Sequence, residues 1–317
     1  MLKALKFVQG AVAKKDFVPT LAHFRIADGK IKGYNGQLAL CGPIDLDLTV
    51  TPKAVPFVRA IQACQDTISM AMTAGGRLSV KSGRFKANIE CIEEAYPEIA
   101  PEGQDIKLGG EFLRAVKILS PFIAEDASRP WARGILFRGP SAFATNNVVI
   151  VEHWLGFEFP VTVNVPKSAI AELIRINEEP ERLQVAANSL TFHFSGDRWM
   201  RTQLYDLTWP DIGKVLNRDS NPVNVPETFF EALADLTHFV GEHEAVMFKQ
   251  DGSITTSSTE GVGACVAVDP IGATGVYNLH QLKLLTGVAE TVDFTGSPAM
   301  FFGDRLRGAI VGMRISI

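Results

Sequence analysis

Asp197-Arg198-Trp199-Met200-Arg201, followed shortly by Trp209-Pro210-Asp211-Ile212, is the passage whose echoes reveal the architecture. An earlier copy reads Gly83-Arg84-Phe85-Lys86 and then Tyr96-Pro97-Glu98-Ile99. A later one reads Asp304-Arg305-Leu306-Arg307, close to the last residue. The copies lie roughly 110 residues apart, so the chain is organised as a threefold internal repeat. In each, an arginine and then an apolar residue open a strand after a tight turn. In the first two, an aromatic-Pro-acid-Ile element closes the unit.

Outward from these marks, each third reads alike. An amphipathic helix comes first, at about 3–13, 111–121 and 227–239. Strands follow, separated by Asp28-Gly29, Asn35-Gly36 and Asp251-Gly252, dipeptides that favour tight hairpins. A second helix is then opened by Thr51-Pro52-Lys53, Val165-Pro166-Lys167 or Tyr277-Asn278-Leu279. Proline suits a first helical turn, where its missing N–H would be unpaired in any case. Pro56 does not fit that rule and predicts a late or irregular start. Further strands alternate, as in Phe85, Ala87, Ile89, Cys91 and in Leu190, Phe192, Phe194, which predicts half-buried antiparallel sheet. The fold class is α+β, with two helices on antiparallel sheet in each third. Linkers at 101–105 and 217–222 divide the chain into 1–104, 105–220 and 221–317.

The 317 residues carry a net charge of −4, with 46% apolar and 21% charged residues, which excludes a disordered chain. No apolar run is long enough for a transmembrane helix, and the N-terminus lacks the pattern of a secretory signal. Cys41, Cys64, Cys91 and Cys265 are too scattered for a zinc ribbon or a disulfide framework, so they are expected as buried thiols in a cytoplasmic protein. There is no P-loop, no H-E-x-x-H and no G-x-S-x-G. Gly261-Val262-Gly263 opens no helix, so it is no dinucleotide fingerprint. His238 and His243 lack a third ligand, and Glu93, Glu94 and Glu98 read as a solvated acidic loop. No metal, cofactor or catalytic residue is expected, and a binding protein is favoured over an enzyme.

Charge is segregated. The six helical stretches carry Lys3, Lys6, Lys14, Lys15, Lys53, Arg59, Arg114, Lys117, Lys167, Arg175 and Lys283 against six acids. They sum to about +5, leaving about −9 for the rest. Basic helices on an otherwise acidic protein suit a polyanion bound through its phosphates, without reading sequence. The fifth helix, with Glu227, Glu231 and Asp235, opposes the trend.

Together these features resemble the bacterial-type DNA sliding clamp, the beta subunit of DNA polymerase III. Residues 77–99 resemble that family's L-x-V-x-S-G-R strand pair and its FP-x-(L/I) close. Val165-Pro166-Lys167 with Ala171-Glu172-Leu173-Ile174-Arg175 resembles its VP…ELxR helix. Trp209-Pro210-Asp211 with Val215-Leu216 resembles FPDYxxVL, and Val311-Gly312-Met313-Arg314-Ile315 resembles the MPMRL terminus. The four pieces occur in the family's order and span nearly the whole chain. Its compactness fits a bacteriophage or mobile-element version.

The resemblance implies three like-folded domains and a head-to-tail homodimer closed into a ring around duplex DNA. Such a ring is a non-catalytic processivity factor. Lys3, Lys6, Lys14, Lys15, Arg59, Arg114, Lys117, Lys167, Arg175 and Lys283 would touch DNA, and Phe239 and Val240, just past the fifth helix, would lie either at the dimer contact or in the core. It also implies an apolar cleft between the second and third domains for short linear peptides of a polymerase and a clamp loader. By motif its residues are Thr145, Val148, Val149, Ile150, Pro210, Lys214, Val215, Val311, Met313 and Arg314. Here the family's TDGHRL reads Thr145-Asn146-Asn147-Val148-Val149-Ile150, without the glycine, the histidine and the arginine. The alternative is a clamp-like protein-binding scaffold that does not encircle DNA.

Overall fold

The threefold repeat is written into the order of elements. The computed structural model describes residues 1–314 apart from 16, 127 and 258–261. Ile315 and Gly261, which figured in the sequence motifs, lie outside the described residues. The first third runs α1 (Leu2–Val8), β1 (Arg25–Ala27), β2 (Lys30–Tyr34), β3 (Leu38–Pro43), α2 (Ala54–Ala63), β4 (Ser69–Met72), β5 (Arg77–Ser82) and β6 (Phe85–Glu90). The second runs β7 (Gln104–Lys107), α3 (Phe112–Leu119), β8 (Gly134–Thr145), β9 (Val149–Pro166), α4 (Lys167–Ile176), β10 (Arg182–Val185), β11 (Ser189–Phe194), β12 (Arg198–Gln203) and α5 (Gly213–Leu216). The third runs β13 (Val223–Asn224), α6 (Glu227–Asp235), β14 (Ala245–Phe248), β15 (Ser253–Thr255), β16 (Cys265–Ala267), β17 (Gly275–Asn278), α7 (Leu279–Lys283), β18 (Thr291–Asp293), β19 (Ala299–Gly303) and β20 (Leu306–Ile310).

Strand pairing joins the thirds. One compact unit comprises Met1–Leu113 with Ser168–Tyr205. It holds a seven-stranded sheet, β1-β2-β3-β12-β11-β10-β7, and a three-stranded sheet, β4-β5-β6. The other comprises Arg114–Lys167 with Asp206–Ile317. It holds a six-stranded sheet, β13-β18-β19-β20-β9-β8, and a four-stranded sheet, β16-β15-β14-β17. Two seams therefore exist within the chain. At the first, β3 pairs antiparallel with β12, Leu38 opposite Thr202 through Cys41 opposite Trp199. At the second, β9 pairs with β20, Val149 opposite Ile310 through His153 opposite Leu306. Each seam joins the first sheet of one repeat to the second sheet of its neighbour, removing two open edges.

Local chemistry explains where the elements stop. The first helix is shorter than its periodicity predicts, ending at Val8 with a 3-10 turn over Gln9–Ala11. Gly10 lies there because a Cβ would come within 1.9 Å of Glu172 Oε1. Lys14 and Lys15 thus fall beyond the helix. Pro52 does not open α2 either: it forms an isolated bridge with Cys91, and Lys53 is the N-cap. Pro56 sits at the third helical position, where an N–H would still lack an intrahelical acceptor. At α7 the expectation holds, since the Asn278 side chain accepts from Gln281 N. The short α5 had no counterpart in the sequence reading.

Each repeated turn has a residue at positive φ, directly before the strand in the second and third copies and one position earlier in the first. Arg84 and Arg305 occupy the turns preceding β6 and β20, whereas Arg198 is the first residue of β12. Gly83, Asp197 and Arg305 all adopt positive φ near 55° (53°, 55° and 53°). The β6 alternation is half-buried as expected, with Ile89 inside. In β11 it is not, because Thr191 is as buried as Phe192 and the strand is covered on both faces. The thiols differ from expectation too: Cys41 is buried, Cys64 and Cys91 are half-buried, and Cys265 is exposed on the edge strand β16. Among the described residues no helix is long and apolar enough to cross a membrane.

Candidate functional site

The turn between β8 and β9 is built by its own side chains. Asn146 Oδ1 accepts from Val148 N at 3.1 Å and Val149 N at 2.8 Å. Thr145 Oγ1 donates to Val149 O at 2.7 Å and accepts from Asn147 N at 3.0 Å. Asn147 stands at φ 76°, a left-handed conformation that favours glycine but that asparagine tolerates. This is where the family motif has its glycine, so the departure preserves the turn. The turn is also tied to α7, since Asn146 Nδ2 donates to Gln281 Oε1 at 2.5 Å.

Beside this turn, at the second seam, lies a cleft of about 170 Å³. Thr145, Val148, Val149, Ile150, Pro210, Val215 and Val311 line it, seven of the ten positions expected for peptide binding. Lys214, Met313 and Arg314 are not among its lining residues. Lys214 is exposed and 3.9 Å from Asp211, while Met313 N donates to Val276 O and so runs along β17. Gly312 belongs to that path: a Cβ there would meet Val276 O at 3.3 Å. The wall is closed by Val311 N donating to Val148 O at 2.9 Å. Arg129, Trp131, Asn147, Pro298 and Ala309 complete the lining and were missed in the sequence. The sequence signal available was the arrival of Ala309 opposite Ile150, which follows once β20 is paired with β9.

Under the cleft is a core of Leu136, Phe143, Trp209, Ile212, Leu216, Met300 and Ala309. Trp131 packs edge-on against Trp209 at 5.0 Å between ring centroids. Cavities of about 150 Å³ hold a benzene ring, so the cleft accepts one aromatic or branched side chain. At its rim the Arg129 guanidinium donates to Asn147 Oδ1 at 3.2 Å. An apolar pocket with a few polar groups at its mouth is the form a peptide anchor needs.

The basic residues divide into two groups. Lys3, Lys6, Lys14, Lys15, Arg59 and Lys117 are exposed. The others are engaged. Arg114 pairs with Asp304 at 2.5 Å, and Lys167 pairs with Glu125, whose carboxyl it holds below the usual range. Lys283 donates to Thr237 Oγ1 at 3.1 Å. Arg175 is the most committed: it grips buried Glu172 and donates to Lys6 O at 2.9 Å and Phe7 O at 2.7 Å. It thereby satisfies carbonyls at the end of α1. Phe239, expected at a dimer contact, is 60% exposed just past α6, and Val240 is half-buried, so Phe239 is no core residue.

Neither a protein-family model nor a curated protein matches the sequence. Solved structures do. The beta sliding clamp of Caulobacter crescentus superposes with a TM-score of 0.85 at 19% identity, covering 99% of this chain and 97% of that one. The Bacillus subtilis DNA polymerase sliding clamp gives 0.84 at 15% over the same shares. The Pseudomonas aeruginosa sliding clamp bound to griselimycin gives 0.81 at 18%, again over the same shares. The chain therefore has the beta sliding clamp fold along its whole length.

Proposed function

We propose that the chain is a DNA sliding clamp, a processivity factor that encircles duplex DNA and tethers a polymerase and other partners. The observation that carries this reading is the cleft: on a clamp fold, seven of the ten residues assigned by motif converge on one apolar pocket. The domains are 1–104, 105–220 and 221–317, and the protein is non-catalytic and cytoplasmic. The exposed Lys3, Lys6, Lys14, Lys15, Arg59 and Lys117 make the leading phosphate contacts. Arg114, Lys167, Arg175 and Lys283 reach DNA only by leaving their present partners. Contacts to phosphates alone let a ring slide. The polymerase and the clamp loader dock by short peptides in the cleft.

The seams support closure by a second copy. β16 occupies the place in the third repeat that β3 holds in the first, and β6 the place that β12 and β20 hold in the second and third. Both are edge strands. A head-to-tail pairing of β6 with the β16 of another chain repeats the seam, and two such pairings close a ring. The second residue after the turn is Lys86, Trp199 or Arg307, and Trp199 faces Cys41. Cys265 stands where Cys41 does, two pairs from the start of its hairpin, so Lys86 should face Cys265. Phe239 and Val240 flank this contact.

Retention on circular against linear duplex DNA, after forced ring opening, tests the function. Selective retention on circles, lost on cutting, supports encirclement. Equal release with an intact dimer favours the protein-binding scaffold instead. For the ring, Lys86→Cys under mild oxidant should yield a covalent dimer that Cys265→Ser removes, since antiparallel neighbours lie within disulfide reach. A dimer that never cross-links would rule out this pairing.

A further inference from the structure

The most exposed large apolar side chain among those described is Phe17, at 84%. It stands at the tip of the loop after α1, with Val18 50% exposed beside it and Lys14 and Lys15 exposed before it. The base of this loop is firmly held. Ala13 N donates to Leu21 O at 2.8 Å, Leu21 N to Val18 O at 3.0 Å, and the His23 ring contacts Pro19 O at 2.6 Å. The tip is therefore presented by a stapled base. Lys15 Nζ lies 5.8 Å from the Phe17 ring centroid, over one face of it.

We propose that Phe17 stacks on an unstacked base at a junction of single- and double-stranded DNA, with Lys14 and Lys15 on the adjoining phosphates. This rests on the clamp reading and goes beyond it, because phosphate contacts alone do not distinguish a junction from continuous duplex. An aromatic ring beside two cations is the pairing that single-strand binders use, the ring for a base face and the cations for the backbone. Stacking on such a ring is worth roughly tenfold to a hundredfold in affinity per base. Within continuous duplex a wedge must first unstack the bases, at a cost of similar size, so the gain cancels. At a junction the base is already free. Charge complementarity favours nucleic acid over a protein partner for this tip.

The test uses the full chain and short DNAs with open ends, so that threading needs no loader. Fluorescence anisotropy compares a duplex carrying a 5′ overhang with a blunt duplex. Phe17→Ala should weaken overhang binding about tenfold and blunt binding less than twofold, without changing the salt slope. Phe17→Tyr should restore it. Lys14→Ala with Lys15→Ala should instead lower the salt slope by about 1.8, two phosphates at 0.9 each. Equal losses on both DNAs, no loss on either, or a dimer that dissociates on Phe17→Ala by light scattering would each overturn the proposal. If the unaltered chain binds neither DNA, the encirclement reading itself fails.

Discussion

The first and second seams are the same construction with opposite chemistry beside them. At the first, Asn35 Oδ1 accepts from Gln37 N and Leu38 N, and Gly36 takes positive φ. At the second, Asn146 and Asn147 do the same. A groove lies beside each turn. The second is the apolar cleft of Val148, Ile150, Pro210 and Val311. The first, about 330 Å³, is lined by Tyr34, Gln37, Glu98, Glu102, Arg201 and Gln203 among others. Arg201 occupies it, paired with Glu102 and donating to Ala100 O at 2.8 Å, which straps the 96–104 segment across the sheet. The repeat supplies a groove at every seam, and side chains decide whether it is left open for a ligand or used to fasten the chain.

Five substitutions sharpen or break that contrast. Gly308 in β20 is crowded, since a Cβ would come within 2.1 Å of the Phe301 ring and 2.7 Å of Ile150 O. Gly308→Ala should cost roughly 3 kcal/mol in denaturant unfolding. Gly42, next to the first seam, is less crowded, its Cβ meeting the Arg198 side chain at 3.2 Å and the Phe7 ring at 3.7 Å, and Gly42→Ala should cost about 1 kcal/mol. Equal costs would mean that the two seams are packed alike. Next, on the proposed function, Val148→Glu should weaken binding of a short peptide with an aromatic or branched anchor by about thirtyfold in calorimetry, or roughly 2 kcal/mol.

Asp293 fastens the linker into the third repeat, accepting from Asn221 N at 2.8 Å and from Thr295 N and Oγ1 at 2.9 and 2.5 Å. The Thr295 hydroxyl bond foremost, against a smaller opposing effect of burial, holds its carboxyl below the usual range. Its contribution is therefore present above the unfolded value of about 3.9 and fades as pH falls through the lower folded value. Asp293→Asn should cost roughly 1.5 kcal/mol at pH 7, and the gap should close below about pH 4. The smallest effect is expected from Arg201→Ala. It should free the 96–104 strap to hydrogen exchange, cost roughly 1 kcal/mol and leave peptide binding in the apolar cleft unchanged.

The repeat, the helix pairs and the tight turns were legible because each is local: dipeptides such as Asp28-Gly29 and the 3.6-residue period report on their own neighbourhood. The cleft was legible where its residues sit on motif, at 145, 148–150, 210, 215 and 311. Pro298 and Ala309 were not, because pairing of β9 with β20 brings the third repeat there across more than 150 positions of sequence, and Arg129 and Trp131, at the turn before β8, carry no motif. The charge count was blind in the same way: it could not tell exposed Lys3 from Arg175, whose donors are spent on Glu172 and α1 carbonyls. Acidic α6 is partly accounted for, since Glu227 lies in its first turn, where the helix dipole favours a carboxylate.

The seams also differ in length. The first is zipped over four residue pairs and the second over five. In the proposed ring the strand that would meet a partner is β16, which has three residues. A hoop with unequal joints parts at the weakest, so a hoop of two such chains would unlatch between them while each half stayed whole. A machine that prises it open need only exploit that difference, and reclosure around the thread requires no refolding of either half.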